Sequence, residues 1–283
     1  MKSPTLRFLL GLSISLVVLE SQPTKAQEID ELQADLSQML DAYSWKDARW
    51  GVLVVSLDQS DTLFSESPDS ALSPASNLKL LTTAAALRIL GPDFRFQTYL
   101  LSNSNIANDV LQGDLVLYGT GDPGISDLFF QEREDVLELL ADQLEDSGIK
   151  TVGGDLVADA SHLPGPLRPY SWDPKDLNDH FAAPVSALSF NENVVSFRVA
   201  SSGRAGSRPE VHTIPENAGL DVRNLAITSP RGTRPHLSIL REYPSNPIRI
   251  EGGIALGARD AWRQMTVSSP PHFTASVFRN VLL

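Results

Sequence analysis

Ile29, Leu32, Leu36, Leu40 and Tyr43 recur at helical spacing with acidic residues between them. That period predicts an amphipathic helix over 28–43, packed on one side. The period then shortens: Trp50 to Leu57 is a β-forming run, Asp58 to Asp61 is turn chemistry, and Thr62 to Ser65 returns as a second strand. A further helix is expected from Ser73 to Leu90, capped by Ser73, with Pro74 in its first position and Gly91-Pro92 as its stop. Beyond Pro92, strands are predicted at 94–101, 114–118 and 153–159, with an amphipathic helix at 131–147 through Val136, Leu139, Leu140 and Leu144. Residues 160–185, rich in Pro and aromatics, read as a long ordered loop. Short β-rich runs follow at 194–199, 220–227, 237–240, 248–254 and 263–267, and no internal repeat interrupts them. Ser269-Pro270-Pro271 opens a last apolar helix through Phe273, Val277, Phe278, Val281 and Leu282. That helix shows no C-cap and ends on Leu282-Leu283, so the sequence is expected to be the N-terminal part of a longer protein.

The mixture of helices with β-rich runs indicates an α+β chain, and 283 residues are enough for one or two cores. A net charge of −12 argues against nucleic acid and anionic membrane as partners. There is no cysteine, which removes disulfides, thiol catalysis and zinc–thiolate sites, and the five histidines show no metal-ligand spacing. No metal or cofactor is expected. Lys2 and Arg7 precede an apolar run from Phe8 to Leu19, and Pro23-Thr24-Lys25-Ala26 offers a small residue for cleavage. This is the order of a secretory signal over residues 1–26, cut after Ala26, with an apolar core too short to remain as a stable membrane span. The protein is expected in the periplasm or cell envelope.

The candidate chemistry lies at Ser76 and Lys79, three apart on one helical face. A serine hydroxyl becomes a nucleophile when a base takes its proton, and a neutral lysine amine can be that base. Spacing alone is weak evidence: 31 serines and six lysines in 283 residues give about two-thirds of a match by chance. The pattern recurs at Ser147–Lys150, but there Gly148 reads as a helix C-cap, so context selects Ser76. The plain alternative for Ser76 is a first-turn serine beside a solvated lysine. Gly119-Thr120-Gly121-Asp122-Pro123-Gly124 lacks the G-K-[ST] ending of a phosphate loop and reads as a structural turn.

Four segments occur in order: Ser73-Pro74-Ala75-Ser76-Asn77-Leu78-Lys79, Tyr118-Gly119-Thr120-Gly121-Asp122-Pro123, Gly154-Asp155-Leu156-Val157-Ala158-Asp159-Ala160-Ser161, and Ala182 through Asn193. With them the chain resembles the penicillin-binding D-alanyl-D-alanine carboxypeptidases and endopeptidases whose catalytic domain carries large insertions, low-molecular-mass class C. The resemblance implies a partial catalytic domain of the penicillin-binding, serine β-lactamase-like type with a large β-rich insertion. Residues 27–90 would be its first part, 91–268 the insertion, and 269–283 the start of the return. It implies Ser76 as nucleophile and Lys79 as base. Peptidoglycan peptides ending in D-Ala-D-Ala would be substrate, and β-lactams covalent inhibitors. It also implies Asp159 as a substrate-binding carboxylate that could hold a free ammonium. An ordinary strand-end acid in a turn is the alternative there.

The family pattern has two further motifs. The one S-x-N here, Ser189-Phe190-Asn191, falls in the expected insertion and reads as a coincidence, and no mature lysine is followed by Thr/Ser-Gly. The fragment is therefore expected to be inactive alone. The competing class is a non-catalytic exported protein that binds cell-wall peptide. An exported serine esterase or β-lactamase shares the chemistry, but the long β-rich insertion argues against it.

Overall fold

A computed structural model describes residues 24–45, 47–234, 236–241 and 247–283. The expected export signal lies almost wholly outside the described residues. The chain divides into two compact units after Pro92.

The described residues of the first unit form four main elements. Helix α1 (Lys25–Leu40) is opened by a capping box: the Thr24 hydroxyl accepts from the Gln27 N–H, and the Gln27 side chain accepts from the Thr24 N–H. Its apolar positions Ile29, Leu36 and Leu40 are half-buried, and the Gln33 amide donates to the Leu63 carbonyl at 2.7 Å. Strands β1 (Val52–Ser56) and β2 (Asp61–Glu66) form the expected antiparallel hairpin. Helix α2 (Leu78–Leu90) ends at Gly91, whose φ of 84° is one that glycine adopts freely. Among the described residues of this unit only Phe64 is buried, and Leu78, Leu80, Leu81, Leu87, Ile89 and Leu90 of α2 are all more than half exposed. A helix apolar around its whole circumference normally lies inside a core.

The second unit, Asp93–Leu283, has a core of its own. Strands β3 (Thr98–Leu101), β4 (Ile106–Ala107), β5 (Val110–Leu111) and β6 (Leu115–Gly119) precede helix α3 (Asp135–Asp146). Strands β7 (Thr151–Val152) and β8 (Leu156–Asp159) follow it. The helix is a crossover, because β8 lies parallel to β6 in the sheet β3-β6-β8, and β7 lies parallel to β5 in the sheet β4-β5-β7. It ends in a Schellman motif: Gly148 N–H donates to the Glu145 carbonyl and Ile149 N–H to the Leu144 carbonyl, with φ of 79° at Gly148. Ser147 is tied to the Gln143 carbonyl and Lys150 pairs with Asp109, so the second Ser-x-x-Lys is structural.

The loop after β6 is also structural. A Cβ at Gly119 would lie 2.2 Å from the Ala187 carbonyl oxygen, and the Gly121 N–H donates to that same oxygen at 2.7 Å. Glycine lets the two backbones touch there.

The β-rich part follows. Strands β9 (Val194–Ala200), β10 (Glu210–Ile214), β11 (Val222–Asn224), β12 (Ile227–Ser229), β13 (Ser238–Leu240), β14 (Ile248–Glu251), β15 (Gly253–Ala255) and β16 (Ala261–Thr266) form three sheets, β10-β9-β16, β11-β14-β13 and β12-β15. The runs expected at 220–227 and 248–254 are each split in two; Gly252, at φ 93°, breaks the second. Helix α4 (Pro270–Val281) closes the unit, with Phe273, Val277 and Phe278 at most 2% exposed in the common core and contacts to β8 and α3. Residues 269–283, expected to begin a return to the catalytic domain, thus pack with the second unit, whose core accepts their apolar face.

Candidate active site

Ser76 and Lys79 stand at the start of α2, though the local structure differs from the expected capped helix. Ser73 makes no cap. Instead Ala75–Asn77 forms a short 3-10 turn with Pro74 before it, and the α-helix proper starts at Leu78. Proline fits because its ring fixes φ near the observed −70° and it needs no partner for an N–H. The Pro74 carbonyl accepts from Asn77 N–H at 2.8 Å. Ala75 has φ of 42°, a left-handed conformation that costs an alanine about 1–2 kcal/mol. No sequence signal announced it. The strained residue immediately precedes Ser76, the kind of position where such strain accompanies function.

The tight turn keeps the serine and lysine on one face. Lys79 Nζ lies 3.3 Å from Ser76 Oγ. The Thr83 hydroxyl donates to the Lys79 carbonyl at 2.6 Å, fastening the backbone that carries the amine. Ser76 N–H donates to no group among the described residues and sits where a helix N-terminus favours negative charge. Chemically the arrangement can pass a proton from Oγ to a neutral amine and offer one N–H to an oxyanion. Both side chains are exposed.

Asp159 belongs to the second unit, at the end of β8, partly exposed. Its carboxylate accepts from Ser161 N–H at 2.8 Å. That backbone bond, with help from the Ser161 hydroxyl, holds its carboxyl below the usual range. The register adds residues that periodicity could not supply. Tyr99 of β3 stands opposite Tyr118 of β6, and Tyr118 opposite Asp159, so the three share one row and one sheet face. The Tyr118 hydroxyl is 3.1 Å from His162 Nδ1.

Ser189-Phe190-Asn191, the S-x-N read as a coincidence, lies in the second unit and is held by local hydrogen bonds. Asn191, Glu192 and Asn193 have φ of 49°, 50° and 58°, a left-handed turn leading into β9. Asn191 Nδ2 donates to the Val194 carbonyl at 2.7 Å, and Asn193 Nδ2 donates to the Pro184 carbonyl and the Ser189 hydroxyl. No group of three metal-ligating side chains occurs, and no helix is long and apolar enough to cross a membrane, among the described residues.

Residues 32–283 match the model of the D-Ala-D-Ala carboxypeptidase 3 (S13) family. The chain is 30% identical over 260 residues to the D-alanyl-D-alanine carboxypeptidase of an Actinomadura species, covering 90% of this chain and 47% of that protein. It is 25% identical over 233 residues to the D-alanyl-D-alanine carboxypeptidase DacB of Haemophilus influenzae, covering 82% and 47%. The crystal structure of penicillin-binding protein 4 from Haemophilus influenzae superposes with a TM-score of 0.65 at 25% identity, covering 82% of this chain and 50% of the other. The α+β fold read from the sequence agrees with that likeness. The chain spans about half the length of the curated relatives it matches.

Proposed function

The chain belongs to the D-Ala-D-Ala carboxypeptidase 3 (S13) family, and from that premise we propose that it carries the acylating half of a serine-type D-Ala-D-Ala carboxypeptidase acting on peptidoglycan. The observation that carries the reading is the 3.3 Å approach of Lys79 Nζ to Ser76 Oγ at the head of α2. Ser76 Oγ attacks the carbonyl carbon between the two D-alanines while its proton passes to neutral Lys79. Ser76 N–H stabilises the oxyanion. Collapse of the tetrahedral intermediate breaks the C–N bond, the proton on Lys79 goes to the departing amine, and D-alanine leaves. Water then attacks the acyl carbon and gives its proton to Lys79; the ester C–Oγ bond breaks, that proton passes to Ser76 Oγ, and the shortened peptide leaves as a carboxylate. A β-lactam acylates the same oxygen, and its opened ring keeps the leaving amine attached. A β-lactam complex is known for the Haemophilus influenzae penicillin-binding protein 4. Endopeptidase cleavage of the same kind of D-alanyl bond belongs to the same proposal.

Asp159 is assigned to a free ammonium on the substrate, such as that of diaminopimelate; the half-exposed carboxylate beside Tyr118 supports this. Residues 1–26 are read as an export signal and 27–90 as the first part of the catalytic domain. Residues 91–268 are read as inserted material and 269–283, which pack with the second unit, as the start of the return; the break after Pro92 supports the first of these boundaries. These residues supply one oxyanion donor and one lysine, and no functional S-x-N or K-T-G. A lysine acts as a base only when burial or a second cation favours its neutral form. We therefore assign no turnover to residues 27–283 by themselves. The exposed α2 and the single buried residue among the described residues of the first unit favour, for this stretch alone, a second reading: a protein that binds wall peptide without cleaving it.

Fluorescent penicillin separates the two. A chain that also carries S-x-N and K-T-G segments is expected to label once, at Ser76, and residues 27–283 not at all. Stoichiometric, Ser76-dependent labelling of the short chain would overturn the account of its incompleteness. Absence of labelling in the longer chain would overturn the catalytic reading.

A further inference from the structure

We infer that the outward face of the sheet β10-β9-β16 is a docking platform for a neutral glycan strand. The inference rests on the peptidoglycan reading for which polymer is at hand, but its geometry is independent of Ser76. Along β9, Val195, Phe197 and Val199 are fully buried, so Ser196 and Arg198 face outward. The register places His212 and Trp262 on either side of Arg198, and Gln264 beside Ser196. These side chains form adjacent rows on a face whose underside is the core, so the platform is rigid before any ligand arrives.

The chemistry of the rows selects the occupant. Trp262 is 52% exposed. An indole face, with its negative quadrupole, attracts the C–H edges of an apolar ring face. Around it stand planar hydrogen-bonding groups: the Arg198 guanidinium and the Gln264 amide, which touches Ser196 only at 3.5 Å and so keeps bonding capacity. A pyranose presents this combination, a C–H face with hydroxyl and amide groups at its rim.

Charge narrows the choice further. On a chain of net −12, the charges of this face pair with one another: Arg198 with Asp260 at 3.4 Å, and His212, when protonated, with Glu210 at 3.9 Å. A polyanion or polycation would have to break those pairs, whereas a neutral polyhydroxyl chain need not. A protein partner fits less well, because the acidic members of those pairs, Asp260 and Glu210, are of a type depleted at interface cores.

The test uses the whole natural protein with two probes: neutral, soluble β-1,4-linked N-acetylglucosamine oligomers and, as an acidic counterpart, peptidoglycan stripped of its stem peptides by an amidase, which leaves a free lactyl carboxylate on each muramic residue. The neutral oligomers should bind, and the acidic strand more weakly. Trp262→Ala should weaken binding about tenfold, as loss of an aromatic anchor does, Trp262→Phe should retain most of it, and Gln264→Ala should give a smaller loss. Both side chains are exposed, so circular dichroism should be unchanged. Binding to the acidic stripped wall but not to the neutral oligomers would overturn the inference, as would equal binding by Trp262→Ala, or a dimer that this substitution dissolves. Penicillin labelling at Ser76, run in parallel, separates the failures. Labelling without glycan binding sinks only the platform, and glycan binding without labelling sinks only the catalytic reading.

Discussion

Asn191→Ala tests whether the S-x-N in this chain belongs to the fold or to the chemistry. Asn191 is 7% exposed, and its Nδ2 satisfies the buried carbonyl of Val194 at 2.7 Å. Alanine orphans that carbonyl, at about 1–3 kcal/mol. It also places a less suitable residue at φ 49°, a further ~1 kcal/mol, since asparagine tolerates the left-handed region and alanine does not. The Arg133 guanidinium, at 3.4 Å from Asn191 Oδ1 and already paired with Asp127, contributes little. The expected loss is therefore about 2–4 kcal/mol, read as a lower urea midpoint by circular dichroism. Asn191→Gly orphans the same carbonyl but removes the conformational strain, so it should be about 1 kcal/mol milder than alanine. The folded fraction of either variant, in a chain competent for labelling, should acylate at the normal rate. Full stability with lost labelling would refute the structural assignment, and equal losses for Ala and Gly would refute the backbone argument.

Lys79→Ala in a labelling-competent chain should slow acylation about 10²–10⁴-fold, the usual share of a general base, while reversible affinity for the β-lactam changes little; stopped-flow labelling reads the two apart. Gly119→Ala drives a methyl group against the Ala187 backbone, which no side-chain rotation relieves, and should cost about 1–3 kcal/mol or more in denaturant unfolding; an unchanged midpoint would show that the two backbones separate freely. Asp159, depressed in the folded protein, should stay ionised there as pH falls through 3.8, its ordinary value; its favourable contribution is full above that value, shrinks as the unfolded chain takes up its proton, and is gone once pH has dropped through the folded value. Ser161→Pro removes the N–H that is the main cause and should move the carboxyl back up in an NMR titration, whereas Ser161→Ala should move it less; an unmoved titration in the proline variant would show the cause to be misassigned.

The elements that a strong local period could announce were legible in the sequence. The helix at 28–43, the hairpin, α3 with its glycine cap and α4 all have apolar spacing or punctuation of their own. The Ser76–Lys79 contact was legible too, because three-residue spacing puts side chains together in a 3-10 turn as well as in an α-helix. Two-residue strands such as β4 and β5 were not, since their pairing is decided by neighbours distant in sequence rather than by their own composition. Strand β10 was hidden for a similar reason: Glu210 to Ile214 alternates weakly and gains its place from β9. The left-handed conformations of Ala75 and Glu192 leave no trace in residue type. The row that joins Tyr99 and Tyr118 to Asp159 exists only once the strands are in register.

The pairing pattern also governs how the chain must fold. Strands β11 and β12 lie parallel to β14 and β15 across intervening hairpins and loops, and β9 waits for β16 before its second edge is covered. Such non-local closures come late, because the entropy of a large loop is lost before any contact rewards it, and folding of this topology runs on milliseconds to seconds rather than microseconds. If residues 1–26 act as the export signal proposed above, slow closure is an asset: it holds open the interval in which an extended thread can be moved.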